Sequence, residues 1–159
     1  MALEKGSNSY VTLAEAESYF ADRLDAAAWT SASVTQKSQA LVTATSLLDE
    51  TEWVGVAVSQ SQSLAFPRVG SYFDPRLGMD VSMDGTSIPN RIIAATCELA
   101  FHLLNNDGLL DDTGSVKDLS VGSIRLSLVL PANKFPTTVK NTIKPLRANG
   151  GATTWWRAN

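Results

Sequence analysis

Apolar residues recur at helical spacing in four stretches of the chain, and two of these stretches open on a capping sequence. Thr12 with Glu15, and Ser33 with Gln36, have the spacing of a capping box, in which the hydroxyl accepts a hydrogen bond from the third helical amide. The two later stretches open on a proline, which suits the first turn of a helix. The pattern predicts helices over about 13–24, 33–51, 89–104 and 136–146.

The stretch over 89–104 has the widest apolar face of the four. A helix whose apolar residues cover much of its circumference is buried on most sides. We therefore expect this helix to be the central element of the fold. Its apolar face consists of Ile92, Ile93, Thr96, Leu99, Ala100, Leu103 and Leu104.

The remaining segments predict a hairpin, a loop and an arm. Apolar and polar residues alternate over about 116–130 around Gly122, which predicts a β-hairpin. Residues 56–87 contain several turn signals and are predicted to form one long loop. Residues 7–11 are predicted to be an extended arm. The fold class is thus mainly α: a small bundle of three to four helices with a hairpin, one long loop and an extended C-terminal tail.

Length and composition narrow the class of protein. A chain of 159 residues, 44% hydrophobic and 18% charged, suits one globular domain, which we expect over 1–146, with a flexible C-terminal docking tail over 147–159. The single cysteine excludes an intramolecular disulfide, and one histidine with one cysteine is too few for a structural zinc site. No apolar run approaches the roughly 20 residues of a membrane helix, and no signal-peptide pattern opens the chain. We expect an intracellular, soluble product.

The net charge of −3 is unevenly distributed. Residues 1–130 carry 8 Lys and Arg against 16 Asp and Glu, whereas residues 131–159 carry 5 Lys and Arg and no acid. The difference is −8 for the body and +5 for the C-terminal stretch. A basic end on an acidic body indicates contact with an acidic partner, either protein or nucleic acid, unless it is simply a solvated terminus.

Nothing in the sequence predicts an enzyme or a metal site. His102 is the one histidine, but no motif places a nucleophile beside it, and a packing or surface role is favoured. Cys97 is predicted to be a small buried apolar residue. Asp107, Asp111 and Asp112 crowd one loop without the spacing of a calcium-binding loop, and a solvated turn is favoured. No cofactor is expected.

Two groups of residues are candidates for binding. The first mixes basic and aromatic side chains in the way that single-stranded nucleic acid requires, although the acidic body argues against phosphate binding. It comprises Arg68, Arg76, Arg91, Phe66, Tyr72 and Phe73. The second is the tail, in which Arg147, Trp155, Trp156 and Arg157 are residue types enriched at binding hot spots. The tail is expected to dock on a neighbouring molecule, the alternative being that it folds back on its own domain.

Five short segments together resemble a known phage family. They are Asn-Ser-Tyr-Val-Thr-Leu-Ala-Glu-Ala at 8–16, Trp-Val-Gly at 53–55, Leu-Ala-Phe-Pro-Arg-Val-Gly at 64–70, Ile-Pro at 88–89 before a helix containing 95–100, and Val-Gly at 121–122. The order and spacing resemble the family labelled DnaT-like single-stranded-DNA-binding protein, whose members look like head–tail adaptors (connector or head-completion proteins) of tailed phages. The resemblance covers roughly residues 8–146.

The resemblance implies a structural protein of the virion neck. Such adaptors form a ring, usually of twelve copies, between the portal protein and a tail or nozzle protein, after assembly in the host cytoplasm. DNA passes through the channel without specific binding. The tail residues Arg147, Trp155, Trp156 and Arg157 would then dock on the portal, and candidates for contacts between subunits are Tyr10, Phe66, Arg68, Tyr72 and Phe73. The alternative function is that of a single-stranded-DNA-binding protein in phage replication.

Overall fold

The computed structural model describes residues 2–106, 119–121, 124–126 and 135–148. Within these ranges the chain forms five α-helices, a three-stranded antiparallel sheet and a further antiparallel strand pair. The fold is therefore a small mixed α/β structure, with more strand than a helical bundle and a hairpin would contain. The helices are α1 (Leu13–Ala21), α2 (Ala27–Ser31), α3 (Val34–Asp49), α4 (Asn90–Asn105) and α5 (Thr137–Ile143), the last continued by a 3-10 turn, Lys144–Leu146.

Both predicted capping boxes are present and fix where α1 and α3 begin. The Thr12 hydroxyl accepts from the Glu15 amide while the Glu15 carboxylate accepts from the Thr12 amide, and Ser33 with Gln36 does the same for α3. The predicted end of the first helix at 24 is wrong, because α1 ends at Ala21 and Leu24 is fully exposed. The short α2, which carries the buried Trp29, was not predicted, since five residues show too little periodicity.

The central position predicted for the helix over 89–104 is confirmed by α4. This helix packs against α3, α5, α2 and α1. Among its buried residues Ile92 and Leu99 are fully covered, and burial of such a side chain is worth about 1.5–3 kcal/mol. Cys97 is also fully buried, as predicted, and burial raises the pKa of its thiol to about 12. The thiol is therefore protonated and unreactive at neutral pH.

The prediction of one long loop over 56–87 is wrong. This segment contains β1 (Val56–Ala57), β2 (Arg68–Asp74) and β3 (Met79–Asp84), in the order β1-β2-β3. The turn predicted at Asp74-Pro75 is present, but it connects β2 to β3 in a hairpin. The pair next to this turn is Asp74 with Met79. The sequence does not predict these strands, because Gly70 lies within β2 and the alternation of apolar and polar residues along β2 is weak.

The predicted hairpin and arm can be compared with the backbone. Within the predicted range 116–130, the strands β4 (Leu119–Val121) and β5 (Ile124–Leu126) pair in antiparallel fashion, and the rest of that range lies outside the described residues. At the N-terminus Tyr10 and Val11 are fully buried, so the predicted arm is anchored in the core. The Tyr10 amide donates to the Thr45 hydroxyl at 3.2 Å, and its phenol donates to Asp49.

The C-terminal part of the described chain lies against the sheet. Residues 52–54 and 146–148 pair through a bridge between Trp53 and Arg147, with the Val54 amide donating to the Leu146 carbonyl at 3.0 Å. The 3-10 turn also contacts β2. The arrangement holds the start of the predicted tail, Arg147 and Ala148, beside the Trp53-Val54-Gly55 segment. The remainder of the tail, 149–159, lies outside the described residues.

Gly55 is required where β1 and β2 meet. Its φ is +75°, and a Cβ placed there would lie 2.4 Å from the Val69 carbonyl oxygen. Gly78, in the β2–β3 turn, has a similar φ of +68° but open space around the position of a Cβ. A side chain at Gly78 would therefore cost only the strain of a left-handed backbone. A side chain at Gly55 would cost the same strain and, in addition, a steric clash with β2.

We expect Gly55→Ala to destabilise the protein far more than Gly78→Ala. The strained backbone alone costs about 1–2 kcal/mol for a non-glycine residue, which both variants incur, whereas only Gly55→Ala must also displace the β2 backbone. Urea unfolding followed by circular dichroism measures both free energies. Equal losses of stability in the two variants would contradict the proposed steric constraint.

Candidate nucleic-acid interface

The six residues of the sequence-predicted basic and aromatic group do not form one surface. Phe66 and Tyr72 are buried, at 1% and 9% exposure, and Phe66 packs edge-on against both Tyr10 and Trp53. Tyr10, Phe66 and Tyr72 therefore belong to the core of a single chain and present little surface to a neighbour. Phe73, by contrast, is 56% exposed. The difference follows from the strand period, since Tyr72 and Phe73 point to opposite faces of β2.

Arg68 supports the backbone and does not present a free cation. Its guanidinium donates to the carbonyls of Val54 at 2.9 Å and Gly55 at 2.6 Å, with longer contacts to the carbonyls of Trp53 and Ala65. Its charge thus holds the segment 53–55 against the start of β2. A guanidinium in this position contributes positive potential, but its donors are already used.

Arg91 is likewise held by the protein. Its guanidinium donates to both carboxylate oxygens of Asp74, with Nε–Oδ2 at 3.0 Å and Nη2–Oδ1 at 2.5 Å. It also donates to the Thr142 carbonyl at 3.3 Å. Asp74 is 2% exposed and also accepts from the Arg76 amide at 2.9 Å. These hydrogen bonds, that from Arg91 first, lower the pKa of Asp74 to about 2. A two-point grip of this kind fixes orientation as well as charge.

Three exposed cations lie close in sequence to residues that contact the sheet or its preceding segment. Arg76 lies in the β2–β3 turn, Lys144 in the 3-10 turn and Arg147 at the bridge to Trp53, and none of their side chains makes an ion pair within the described residues. Arg91 relates the first two, because it contacts Asp74, two residues before Arg76, and Thr142, two residues before Lys144. We call Arg76, Lys144 and Arg147 the cationic surface.

The other described ion pairs lie elsewhere and neutralise themselves. Lys5 pairs with Glu15, Arg23 with Glu98, and Lys37 with Glu17. Lys37 also lies 5.3 Å from the Trp29 ring centre, and Trp29 stacks on Phe20 with 4.6 Å between ring centres. Two of these pairs connect helices or their ends: Arg23, just after α1, with α4, and Lys37 of α3 with α1. Two exposed acids lie close to the cationic surface in the fold: Asp80 follows Arg76 by four residues, and the carbonyl of Glu52 accepts from the Ala148 amide.

The residues that the structure describes contain no cluster suited to a metal ion. No group of three or more His, Cys, Asp or Glu comes together within these ranges. His102 is half-buried on α4, and its ring contacts the Asn106 amide at 3.1 Å. Asp107, Asp111 and Asp112 lie outside the described residues. No described helix is long and apolar enough to cross a membrane.

Comparison with known proteins decides between the two functions suggested by the sequence. A family model described as "Putative DnaT-like ssDNA binding protein" matches residues 2–157. The chain belongs to this family. No curated protein and no solved structure gives a significant match. The match extends past the roughly 8–146 expected from the resemblance and includes Trp155, Trp156 and Arg157.

The head–tail adaptor interpretation is therefore wrong. The family is described by single-stranded-DNA binding, and none of the comparisons indicates a virion neck protein. The partners expected from that interpretation are therefore also wrong. They were the portal protein, a tail or nozzle protein, further copies of the chain in a ring of about twelve, and DNA that passes through the ring without binding. The motifs pointed to the right family, but an aromatic and basic tail suits base stacking as well as it suits docking on a protein.

The sequence analysis missed two features of this surface. Lys144 entered only as part of the charge count, because nothing in the sequence shows that the 3-10 turn lies against β2. The position of Asp80 opposite Phe73 is the second, because the sequence predicts a loop where β3 lies. The free Arg76 and the exposed Phe73 were in the predicted group, but the sequence could not separate them from its buried and paired members.

Asp74→Asn should weaken the fold and change its acid sensitivity. The Asp74 pKa is about 2 in the folded protein against an ordinary 3.8, so the carboxylate stabilises the fold above pH 3.8 and this contribution is lost as pH falls from about 4 to 2. The variant should show a lower urea midpoint at pH 7 and a flatter fall in stability below pH 4. Asp25→Asn, at an exposed residue between α1 and α2, is the control; equal effects would contradict the role given to Arg91.

Proposed function

We propose that the protein binds single-stranded DNA, with the phosphates on the cationic surface of Arg76, Lys144 and Arg147. The observation that carries the proposal is the family match over residues 2–157. The geometry supports it because these three cations are exposed, unpaired within the described residues, and gathered beside β2 by the Arg91 contacts and the Trp53–Arg147 bridge. Phosphate contacts by such side chains supply most of the affinity of sequence-independent binding.

The uneven charge of the chain fits this proposal. The net charge of −3 averages an acidic body with a stretch over 131–159 that has no acid. Ionic screening limits the reach of exposed charges to about 8 Å at physiological salt, so a strand on the basic side feels little of the acidic residues across the molecule. The acidic surface elsewhere disfavours wrapping of DNA around the whole protein and confines it to one side.

The segment that follows Ala148 supplies the residue types that stack on bases. Trp155, Trp156 and Arg157 lie within the family match and follow the Trp53–Arg147 bridge in sequence. Base–aromatic stacking tolerates any sequence because every base has a flat face. We propose that these three residues extend the same interface, with the tryptophans contacting bases and the arginine contacting phosphate.

We propose a binding role without catalysis. Cys97 is buried with a raised thiol pKa, and the ring contact recorded for His102 is with an amide rather than with a nucleophile. The described residues do not bring together a nucleophile, a base and an oxyanion donor.

Neutralising the cationic surface should reduce the salt dependence of binding. Each phosphate contact on a single strand contributes about −0.7 to the slope of log K against log salt, so Arg76→Gln, Lys144→Gln and Arg147→Gln together should make the slope shallower by about 2. Fluorescence anisotropy with a labelled oligonucleotide over a salt series measures it. Lys5→Gln, which removes a cation paired with Glu15, is the control and should change the slope little.

Ending the chain after Ala148 should weaken binding through both stacking and charge. Trp155→Ala with Trp156→Ala should lower affinity by about 5-fold or more at every salt concentration, because stacking does not release counterions. Arg157→Gln should instead reduce the salt slope by about 0.7. The same anisotropy titrations apply. Unchanged affinity in the double tryptophan variant would show that the two tryptophans do not bind DNA. The role of the cationic surface would still be tested by the variants of Arg76, Lys144 and Arg147.

A further inference from the structure

Phe73 stands on the outer face of the sheet without apolar neighbours beside it. The register places Ser71 opposite Ser82 and Phe73 opposite Asp80, so the ring is bordered by two serines and one carboxylate. Directly opposite residues have Cβ atoms about 4.5–5.5 Å apart, and diagonal neighbours remain within reach of an aromatic ring. Small neighbours leave the face of the ring open, which is consistent with its 56% exposure.

This ring is unusual among the aromatic residues that the structure describes. The other described Phe, Tyr and Trp side chains are buried or half-buried, and many of them pack against one another in the core. An exposed phenylalanine costs solvation free energy, since burial of such a side chain is worth about 1.5–3 kcal/mol. A flat apolar ring on an exposed sheet is a surface on which a nucleobase can stack.

Asp80 decides which kind of occupant suits the site. Its carboxylate is exposed and accepts no hydrogen bond from another described residue. The described outer face also carries Asp84 and has no Lys or Arg, its other members being Val56, Val69, Ser71, Phe73 and Ser82. An apolar protein surface laid over Phe73 would bury Asp80 without a partner, which is costly. A ligand that combines a flat apolar face with a hydrogen-bond donor at its edge satisfies both residues.

We propose that Phe73 and Asp80 form a base-binding site that prefers cytosine to thymine. The base stacks on the Phe73 ring, and the N4 amine of cytosine donates to the Asp80 carboxylate. Thymine has the same size but presents its O4 acceptor at that position, where it would face another acceptor; its N3–H donor lies one position further along the edge and reaches Asp80 only if the stacked base turns. The inference rests on the proposed function and adds to it a position for one base and a preference between bases.

The position of Arg76 is compatible with this placement. Arg76 follows Phe73 by three residues in the β2–β3 turn, and its side chain is unpaired within the described residues. A strand whose phosphate lies at the Arg76 end of the hairpin can place its base on Phe73 while keeping the phosphate away from Asp80 and Asp84. The hairpin would thus separate the phosphate from the carboxylates that repel it.

The test compares labelled oligo-dC and oligo-dT, each of about 15 nucleotides, by fluorescence anisotropy at neutral pH and low salt. The wild-type protein should bind oligo-dC more tightly by about 3- to 10-fold, the range expected for one net hydrogen bond. Phe73→Ala should weaken binding of both by about 5-fold or more. Asp80→Asn should abolish the preference without weakening oligo-dT, because the amide can also donate to thymine O4.

Two variants on the same face are matched controls. Val69→Ala shortens an exposed apolar side chain and should change neither affinity nor preference. Asp84→Asn removes a charge that repels phosphate, so any gain in affinity should be equal for oligo-dC and oligo-dT and the preference should stay unchanged. Circular dichroism checks that each variant is folded. We expect Phe73→Ala and Asp80→Asn to fold, because both side chains are exposed.

The outcomes separate this inference from the proposed function. Binding of both oligonucleotides by Phe73→Ala as tightly as by wild type would overturn the base site while single-stranded-DNA binding stood. Loss of affinity in Phe73→Ala with equal wild-type affinities for the two oligonucleotides would keep the stacking and overturn the role of Asp80. Failure of the wild-type protein to bind either oligonucleotide would overturn the proposed function and this inference with it.

Discussion

The side chain of Arg91 joins three parts of the molecule that are far apart in sequence. It extends from the central helix α4, grips Asp74 at the end of β2 and donates to the Thr142 carbonyl on α5. The Asp74 carboxylate is nearly completely buried, so its charge requires this partner. Through this contact the hairpin and the C-terminal helix keep fixed positions relative to the core. Arg76 and Lys144, which flank the contact, take their positions from it.

Some cations of this protein maintain the fold and others are available for binding, so the number of Lys and Arg residues does not predict where a ligand binds. Arg68 and Arg91 use their donors on carbonyl and carboxylate oxygens of the protein itself, and three further described cations pair with glutamates. Arg76, Lys144 and Arg147 are exposed, make no ion pair within the described residues and are available to a ligand. The charges that maintain the fold and those available for binding thus belong to the same residue types, and only their contacts distinguish them.

The single-stranded-DNA proposal connects two surfaces with different chemistry. The cationic surface suits phosphates, whereas the described outer face of the sheet carries two carboxylates and no cation, its other members being Phe73, two valines and two serines. A single strand can satisfy both, because its bases turn away from its backbone and are not hidden in a duplex. The hairpin of β2 and β3, which carries Arg76 at its turn and Phe73 on its face, lies between the two surfaces.

The sequence by itself determined the local features: the capping boxes at Thr12 and Ser33, and the central α4 with its buried Cys97. These depend on short-range patterns that neighbouring residues complete. The sequence did not determine the function, since the head–tail adaptor interpretation was overturned by the family match. Tertiary structure alone decided that 56–87 contains a sheet, that Tyr72 is buried while Phe73 is exposed, and that Arg91 is paired while Arg76 is not. Those outcomes depend on strand register and on contacts such as Asp74–Arg91, in which residues distant in sequence meet, and no local periodicity encodes them.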